Sequence, residues 1–227
     1  MYIGGFEKFS LSDYPGKICS VIFTVGCNFR CAYCYNLPLI LKEYFPPPIP
    51  FSEIESYLKK RKGFIDAVVF SGGEPTIQPD LIEYMKKIKE MNFLIKLDTN
   101  GALPEVIVKC IEKKAIDYIA MDIKAPLERY EEVVGVKVDI KKILESIRII
   151  KKFPNYEFRT TLYPALNKED FEKIFKLIEG AKRYYLQVCR LENTLKDCSH
   201  LHPLSRSEIA FLKEKAKKFV KFCEVRE

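Results

Sequence analysis

Three closely spaced cysteines constrain this chain more than any other feature. Cys27, Cys31 and Cys34 form a Cys-x3-Cys-x2-Cys array directly after the apolar run 21–23. Fully extended, the chain from Cys27 to Cys34 would span roughly 24 Å, which is far too long for three thiolates that bind one inorganic centre. The segment is therefore predicted to be a loop wound around such a centre. A cubane iron–sulfur cluster normally takes four cysteines, so a local set of three would leave one iron open to a small molecule.

Zinc is the main alternative ligand for this array. A structural zinc site needs four ligands, and the fourth would have to come from a distant residue such as Cys198, His200 or His202. A disulfide framework is disfavoured, because the chain is long and shows no secretory signal. The cysteines outside the array are scattered, and we expect them to be reduced, partly buried and without a second cluster. They are Cys19, Cys110, Cys189, Cys198 and Cys223.

A second motif indicates which kind of site the cysteine array belongs to. The string Ser-Gly-Gly-Glu-Pro-Thr at 71–76 follows the apolar run 67–70, and paired glycines at a strand end let a ligand approach the backbone. A cysteine triplet followed after about 40 residues by a Gly-Gly-Glu-Pro strand end resembles the radical S-adenosylmethionine (SAM) superfamily. The resemblance implies a 4Fe–4S cluster and SAM as cofactors.

Apolar strands and amphipathic helices alternate along the chain. The pattern predicts six strand–helix units and an end strand, which indicates a parallel sheet with helices outside. Strands are predicted at 17–24, 66–71, 93–98, 117–123, 156–162, 183–189 and 219–225. The predicted fold class is α/β, a partial (βα)6 TIM-like barrel with parallel strands that is open on one side, and the resemblance implies the same fold. We expect one domain over 1–227, with 1–16 as an N-terminal extension and 190–227 as a C-terminal segment.

Charge and hydropathy exclude several partners. The net charge of +7 comes from 38 basic and 31 acidic residues that are spread along the chain. Nucleic-acid binding would require a basic patch with interleaved aromatic residues, and none is found. No apolar stretch of membrane-spanning length occurs. We therefore expect a cytoplasmic protein that binds neither nucleic acid nor membrane.

Polar residues collect after nearly every predicted strand. In barrels of this kind the chemistry lies at the C-terminal ends of the strands. Besides the cysteines, the residues there are Glu74, Asp98, Asp122, Lys124, Arg159 and Arg190. Acids and cations at one rim suit a zwitterionic ligand with an amine, a carboxylate and ribose hydroxyls, and SAM is such a ligand.

Further strings make the resemblance closer. From about residue 10 to residue 190 the chain is similar to the glycyl-radical-enzyme activases, particularly the anaerobic ribonucleotide reductase activating proteins, with pyruvate formate-lyase activating enzyme as a cousin. The strings that carry the similarity occur in this order, at 13–17, 27–34, 71–76, 97–101, 120–124, 156–161 and 181–184.

The resemblance implies a role for individual residues. The cluster would be bound by Cys27, Cys31 and Cys34. The adenine of SAM would be contacted by Tyr33, and the methionine amine by Gly72, Gly73 and Glu74. The ribose and the carboxylate would be contacted by Asp98, Asp122 and Lys124. Asp98 and Asp122 could share a small cation. Tyr35 stands where these activases usually carry His, so a ring is kept beside the cofactor, where we expect Tyr35 to lie, and the imidazole is lost. The string 187–193 also departs from the activase pattern, and Arg190 within it is predicted to lie at the cofactor and substrate side.

The implied reaction begins when a reduced cluster passes one electron to SAM and releases a 5′-deoxyadenosyl radical. In an activase this radical takes a hydrogen atom from a glycine Cα of a partner enzyme. A one-electron donor such as flavodoxin or ferredoxin is a second expected partner. The first alternative is a radical SAM enzyme for a small molecule, similar to 7-carboxy-7-deazaguanine synthase. A second alternative is a zinc- or cluster-binding interaction module without turnover. Residues 190–204 could line a closed pocket or border an open one.

Overall fold

The computed structural model describes residues 1–226 as alternating strands and helices. The strands are β1 (Ile3–Ser10), β2 (Cys19–Thr24), β3 (Ala67–Gly72), β4 (Leu94–Thr99), β5 (Tyr118–Asp122), β6 (Tyr156–Leu162), β7 (Tyr184–Val188) and β8 (Cys223–Arg226). The α-helices are α1 (Leu37–Ile40), α2 (Phe51–Lys60), α3 (Leu81–Glu90), α4 (Pro104–Glu112), α5 (Tyr130–Val134), α6 (Ile140–Lys152), α7 (Lys168–Leu177) and α8 (Arg206–Ala216).

The chain divides into two compact units. Unit 1 comprises Met1–Asn28, Asn36–Thr99 and Leu103–Ile119, and unit 2 comprises Phe29–Tyr35, Asn100–Ala102 and Ala120–Glu227. The cysteine loop comprises residues 25–36, between β2 and α1. Unit 1 therefore holds the start of this loop with Cys27, and unit 2 holds its middle with Cys31 and Cys34.

In unit 1, β2, β3 and β4 are parallel neighbours, with Val21 opposite Val69 and Val69 opposite Lys96. Alternate residues along a strand share a face, and Val21 and Val69 lie in one apolar cluster. That cluster also contains Tyr14, Cys19, Ala67 and Tyr118.

The N-terminal segment differs from the expectation for 1–16. It contains β1, which pairs antiparallel with β2. A Cβ on Gly4 of this strand would lie 2.4 Å from Val25 Cγ2. The glycine is needed because the edge strand packs closely on its neighbour, and this requirement cannot be distinguished from a turn signal in the sequence.

In unit 2, β6, β7 and β8 are parallel neighbours whose two faces differ in polarity. One face carries Phe158 opposite Tyr184, both fully buried. The other face carries Arg159 opposite Tyr185. Glu157 lies on this face too, two residues before Arg159, and its carboxylate accepts hydrogen bonds from Arg226 at 2.7 and 3.1 Å. On the apolar face Tyr184 packs on Phe175 of α7, with ring centroids 5.9 Å apart, and the opposite face carries the charged side chains.

The predicted fold class is confirmed. The sheet is mostly parallel, its strands follow chain order and alternate with helices, and it does not close. Six strands, β2 to β7, are each followed by helix, and β8 is the predicted end strand. Among residues 1–226, no helix is both long and apolar enough to cross a membrane.

Candidate active site

The first part of the site, in unit 1, is a backbone contact between the Gly-Gly-Glu-Pro loop and the start of the cysteine loop. The Gly73 N–H donates to Thr24 O at 2.9 Å, and the Glu74 N–H donates to Gly26 O at 2.8 Å. A Cβ on Gly73 would lie 1.9 Å from Gly26 O. The paired glycines are thus required by the contact of two backbones, and this contact fixes the residue that precedes Cys27.

Glu74 is a buried support of the same loop. Its Oε1 accepts hydrogen bonds from the Thr76 N–H at 3.1 Å, from Thr76 Oγ1 at 2.5 Å and from Thr99 Oγ1 at 2.7 Å. The carboxylate therefore ties the loop after β3 to the end of β4. A contact of Glu74 with the methionine amine remains a prediction.

Asp98 lies at the end of β4 beside a lysine that the sequence analysis did not single out. Lys96 Nζ lies 3.0 Å from Asp98 Oδ1 and donates to Asp13 O at 2.5 Å, and Ser71 Oγ donates to Asp98 Oδ2 at 3.2 Å. Lys96 and Asp98 are two residues apart and so share a face. That spacing was the signal that could have identified the pair. Within unit 1 the structure thus brings Asp98 and the 72–74 loop together through Ser71 and Thr99.

The middle of the cysteine loop lies in unit 2. Cys31 is buried and Cys34 half-buried, and the Cys34 N–H donates to Cys31 O at 3.0 Å, which closes a turn. Burial raises the pKa of Cys31 to about 11, against the opposing effect of the Lys124 charge. A metal would replace the proton that burial retains, because thiolate is the ligating form.

Helix α5 supports this loop and was not predicted. The Arg30 N–H donates to Val134 O at 2.8 Å, and the Ala32 N–H donates to Val133 O at 3.1 Å. Gly135 then ends the helix with φ +69°, and a Cβ there would lie 2.5 Å from Arg30 O. The cysteine loop therefore depends on a helix about 100 residues further along the chain.

The two tyrosines of the loop have opposite environments. Tyr33 is buried, and its ring centroid lies 5.0 Å from that of Tyr163. Tyr35 is 48% exposed, and the guanidinium of the exposed Arg190 lies 5.3 Å above its ring. The predicted contact of Tyr33 with adenine, and those of Tyr35 and Arg190 with cofactor, remain predictions.

Asp122 at the end of β5, Lys124 just after it and Arg159 form a charged cluster, although Arg159 lies in the middle of β6 and not at its predicted end. Arg159 Nε donates to Asp122 Oδ1 at 2.8 Å, and Lys124 Nζ donates to Asp122 Oδ2 at 3.2 Å. Burial alone would raise the pKa of Asp122, but Arg159 and Lys124 hold it well below its usual range. Burial would likewise lower the pKa of Lys124, whereas Asp122 holds it well above its usual range. All three groups are charged at neutral pH, and together they carry one excess positive charge.

The donor set fits the cofactors that the motifs imply. No disulfide forms among the eight cysteines, so the thiols of 27, 31 and 34 are reduced. Over residues 1–226, no three His, Cys, Asp or Glu side chains surround one point as a single metal ion requires. A cubane does not need that arrangement, because each thiolate binds a different iron. The excess positive charge beside Asp122 and Lys124 fits a ligand carboxylate.

The small cation has less support. Asp98 is paired with Lys96, and Asp122 is paired with Lys124 and Arg159. These cationic side chains neutralise the carboxylates that would attract a metal cation.

Comparison with known proteins agrees with these motifs. The Radical SAM superfamily profile matches residues 21–178. The protein MJ1227 of Methanocaldococcus jannaschii is 37% identical to this chain, over 96% of this chain and 92% of its own length. It is named as a glycyl-radical enzyme activating enzyme, and that name is itself provisional. The 7-carboxy-7-deazaguanine synthase of Thermococcus kodakarensis is 32% identical over 56% of each chain.

Two solved structures share the fold. Streptococcus suis SuiB bound to S-adenosylmethionine superposes with a TM-score of 0.67 and 16% identity, covering 91% of this chain and 50% of SuiB. A domain of a pyruvate-formate lyase-activating enzyme from Bacteroides vulgatus superposes with a TM-score of 0.58 and 16% identity, covering 71% of this chain and 99% of that domain. The observed open, mostly parallel sheet is therefore one on which such proteins are built.

Proposed function

The chain belongs to the radical SAM superfamily, and from that premise we propose that it activates a glycyl-radical enzyme. In this proposal SAM is cleaved reductively, and the 5′-deoxyadenosyl radical takes a hydrogen atom from the Cα of one glycine in a partner protein. The partner we propose is an anaerobic ribonucleotide reductase, with flavodoxin or ferredoxin as the electron donor.

One observation carries the proposal: the end-to-end similarity to a relative named as an activase of this kind. The match spans the loops after the strands as well as the cofactor motifs. Those loops border the substrate in barrels of this class. A relative that shares only the cofactor motifs would support the superfamily but not the substrate.

The three cysteines would hold a 4Fe–4S cluster, which when bound supplies the single electron that cleaves SAM. The role of the protein's own residues is to hold the cysteine loop in the right shape. Cys27 follows a residue held by the Glu74 amide, whereas the turn from Cys31 to Cys34 is held by α5. These contacts would preorganise the thiolates for cluster binding.

SAM would be bound by groups from both motifs. The amide N–H groups of Gly73 and Glu74 already donate to Thr24 O and Gly26 O. A methionine ammonium at 72–74 would be bound by carbonyl oxygens, because an ammonium only donates hydrogen bonds. The methionine carboxylate would lie against Lys124, where the charge excess favours an anion. We further propose ribose contacts for Asp98 and Asp122, and adenine stacking for Tyr33.

Iron content tests the cofactor part of the proposal. Anaerobically reconstituted protein should hold about four irons per chain, and Cys27→Ala, Cys31→Ala and Cys34→Ala should each abolish cluster binding. Cys110→Ala is a matched control, because this thiol is fully buried in α4 outside the array. Full iron retention in all three array variants would refute the cluster assignment.

The substrate part is tested by electron paramagnetic resonance. Reduced protein with SAM should generate a stable glycyl radical on an anaerobic ribonucleotide reductase from the same genome. The similarity to 7-carboxy-7-deazaguanine synthase supports a second candidate, a radical reaction on a small molecule. SAM cleavage without a glycyl radical on any partner from that genome would favour the second candidate.

A further inference from the structure

The segment between β7 and α8 contacts the cysteine loop directly. The Leu195 N–H donates to Cys34 O at 2.8 Å, and the Lys196 N–H donates to Ala32 O at 3.0 Å. Both contacts lie within unit 2. A segment that was expected to border the substrate therefore donates two backbone hydrogen bonds to the loop that carries the proposed cluster ligands.

Cys198 adds a side-chain contact at the same place. It is 2% exposed, and its Sγ lies 3.9 Å from Ala32 O as a hydrogen-bond donor. Burial and the neighbouring Cys198 thiol together raise the pKa of Tyr163 to about 12, and the Tyr163 ring in turn packs on Tyr33. Ala32, Cys198, Tyr163 and Tyr33 thus form a continuous chain of contacts.

The peptide groups of Ala32 are held from two sides. Its N–H donates to Val133 O at 3.1 Å, and its carbonyl oxygen accepts from the Lys196 N–H and from Cys198 Sγ. A loop with only a turn of its own cannot hold a fixed shape without external partners, because ordering its backbone costs conformational entropy. Here α5 supplies partners on one side and residues 195–198 on the other.

We propose that residues 195–198 form a positioning strap that holds the Cys31–Cys34 loop in its ligating shape, with Cys198 as the buried side-chain anchor. The strap acts on the ligand loop and not on the substrate. The proposal rests on the cysteine assignment of the proposed function, but it is independent of which substrate the enzyme uses.

The backbone part is tested with a matched pair, Lys196→Pro and Lys196→Ala. Proline removes the N–H donor to Ala32 O, whereas alanine keeps it and removes only the side chain. Iron release to a chelator is measured anaerobically on reconstituted protein, well below the melting temperature of both variants. Lys196→Pro should release iron about tenfold faster than the parent, as expected for one lost hydrogen bond of ordinary strength, and Lys196→Ala should match the parent. Equal rates in both variants would overturn the proposal.

The side-chain part uses Cys198→Ala and Cys198→Ser, and it also serves if Lys196→Pro does not fold. Serine keeps a donor and alanine does not. The electron paramagnetic resonance spectrum of the reduced cluster and the iron-release rate should change in Cys198→Ala and return toward the parent in Cys198→Ser. Spectra and rates identical to the parent in both variants would overturn the anchor role.

The outcomes separate this inference from the proposed function. A parent protein that binds no iron would overturn both. A parent that binds iron and shows the expected dependence on Lys196 and Cys198, but generates no glycyl radical on a partner, would overturn the proposed substrate and leave the strap in place.

Discussion

Two lysine–aspartate pairs with the same spacing have different environments. Lys96 and Asp98 in unit 1 have side chains 1% and 9% exposed, whereas Lys124 and Asp122 in unit 2 have side chains 16% and 21% exposed. Lys96 also donates to a backbone carbonyl, and Asp98 accepts from Ser71. Asp122 is instead shared by two cations, because Arg159 binds it as well.

The difference shows that spacing alone does not define a role. The first pair is neutral and closed by protein groups, so its main effect is on folding. The second cluster has one cation more than it has carboxylates and retains some exposure, so it can accept an anionic ligand group. Substitutions at Lys96 and Lys124 test this distinction directly, and substitutions at Gly73 and Arg190 extend the comparison to other contacts of the two units.

Lys96→Met should have the largest effect. Removal of one partner from a buried ion pair leaves an uncompensated charge and costs about 3–5 kcal/mol of unfolding free energy. Urea unfolding measures this loss. Lys124→Met is the matched control and should cost clearly less, since Asp122 keeps Arg159 and some solvent access. Equal losses would remove the distinction between the pairs.

Gly73→Ala tests how tightly unit 1 is packed at its motif. The new Cβ would collide with the Gly26 carbonyl, and forced backbone shifts of this kind cost about 2–3 kcal/mol. Unfolding free energy and iron content should both fall. Gly180→Ala in unit 2 has open space around its Cβ and φ +78°, so it should cost only the left-handed strain of about 1 kcal/mol and keep its iron. A Gly73→Ala variant as stable as Gly180→Ala would contradict the observed contact.

Lys124→Ala should affect the ligand more than the fold. Loss of a charged hydrogen bond to the methionine carboxylate should weaken SAM binding roughly 10- to 100-fold, with melting temperature and iron content nearly unchanged. Equilibrium binding of SAM to the reconstituted protein measures this. Normal SAM affinity combined with a large loss of stability would make Lys124 a structural residue like Lys96.

Arg190→Ala should have the smallest effect on stability. Its exposed contact with the Tyr35 ring contributes at most about 0.5–1 kcal/mol. We expect a lower glycyl radical yield on the partner and little change in SAM cleavage without partner, because the guanidinium can donate to backbone carbonyls of an incoming loop. Arg190→Lys keeps the charge and should retain part of the yield. Parallel losses of yield and of uncoupled cleavage would place Arg190 with the cofactor instead.

Much of this protein could be predicted from short-range patterns. The cysteine array, the Gly-Gly-Glu-Pro string and the alternation of strands and helices are local features, and each predicts its own structure. Placement of Asp122 and Lys124 on one face also follows from residue spacing, because side chains alternate along a strand. The superfamily, the fold class and the cofactors were therefore accessible from the chain alone.

Other features depend on contacts between distant segments. Edge strand β1 was hidden because its glycines have the composition of a turn, and the close packing that requires them is visible only in three dimensions. The spacing of Lys96 and Asp98 places both side chains on one face, but an isolated lysine in an apolar strand gives no sign that Asp13 O also lies within reach.

The cysteine loop shows the same division most directly. The sequence determined which thiols could bind a cluster, because ligand type and spacing are local. Only the tertiary structure decided what holds the loop: α5 on one side, and on the other a segment whose Cys198 is 166 residues from Ala32. Such backbone hydrogen bonds leave no pattern in the sequence, since nearly every residue can donate or accept one.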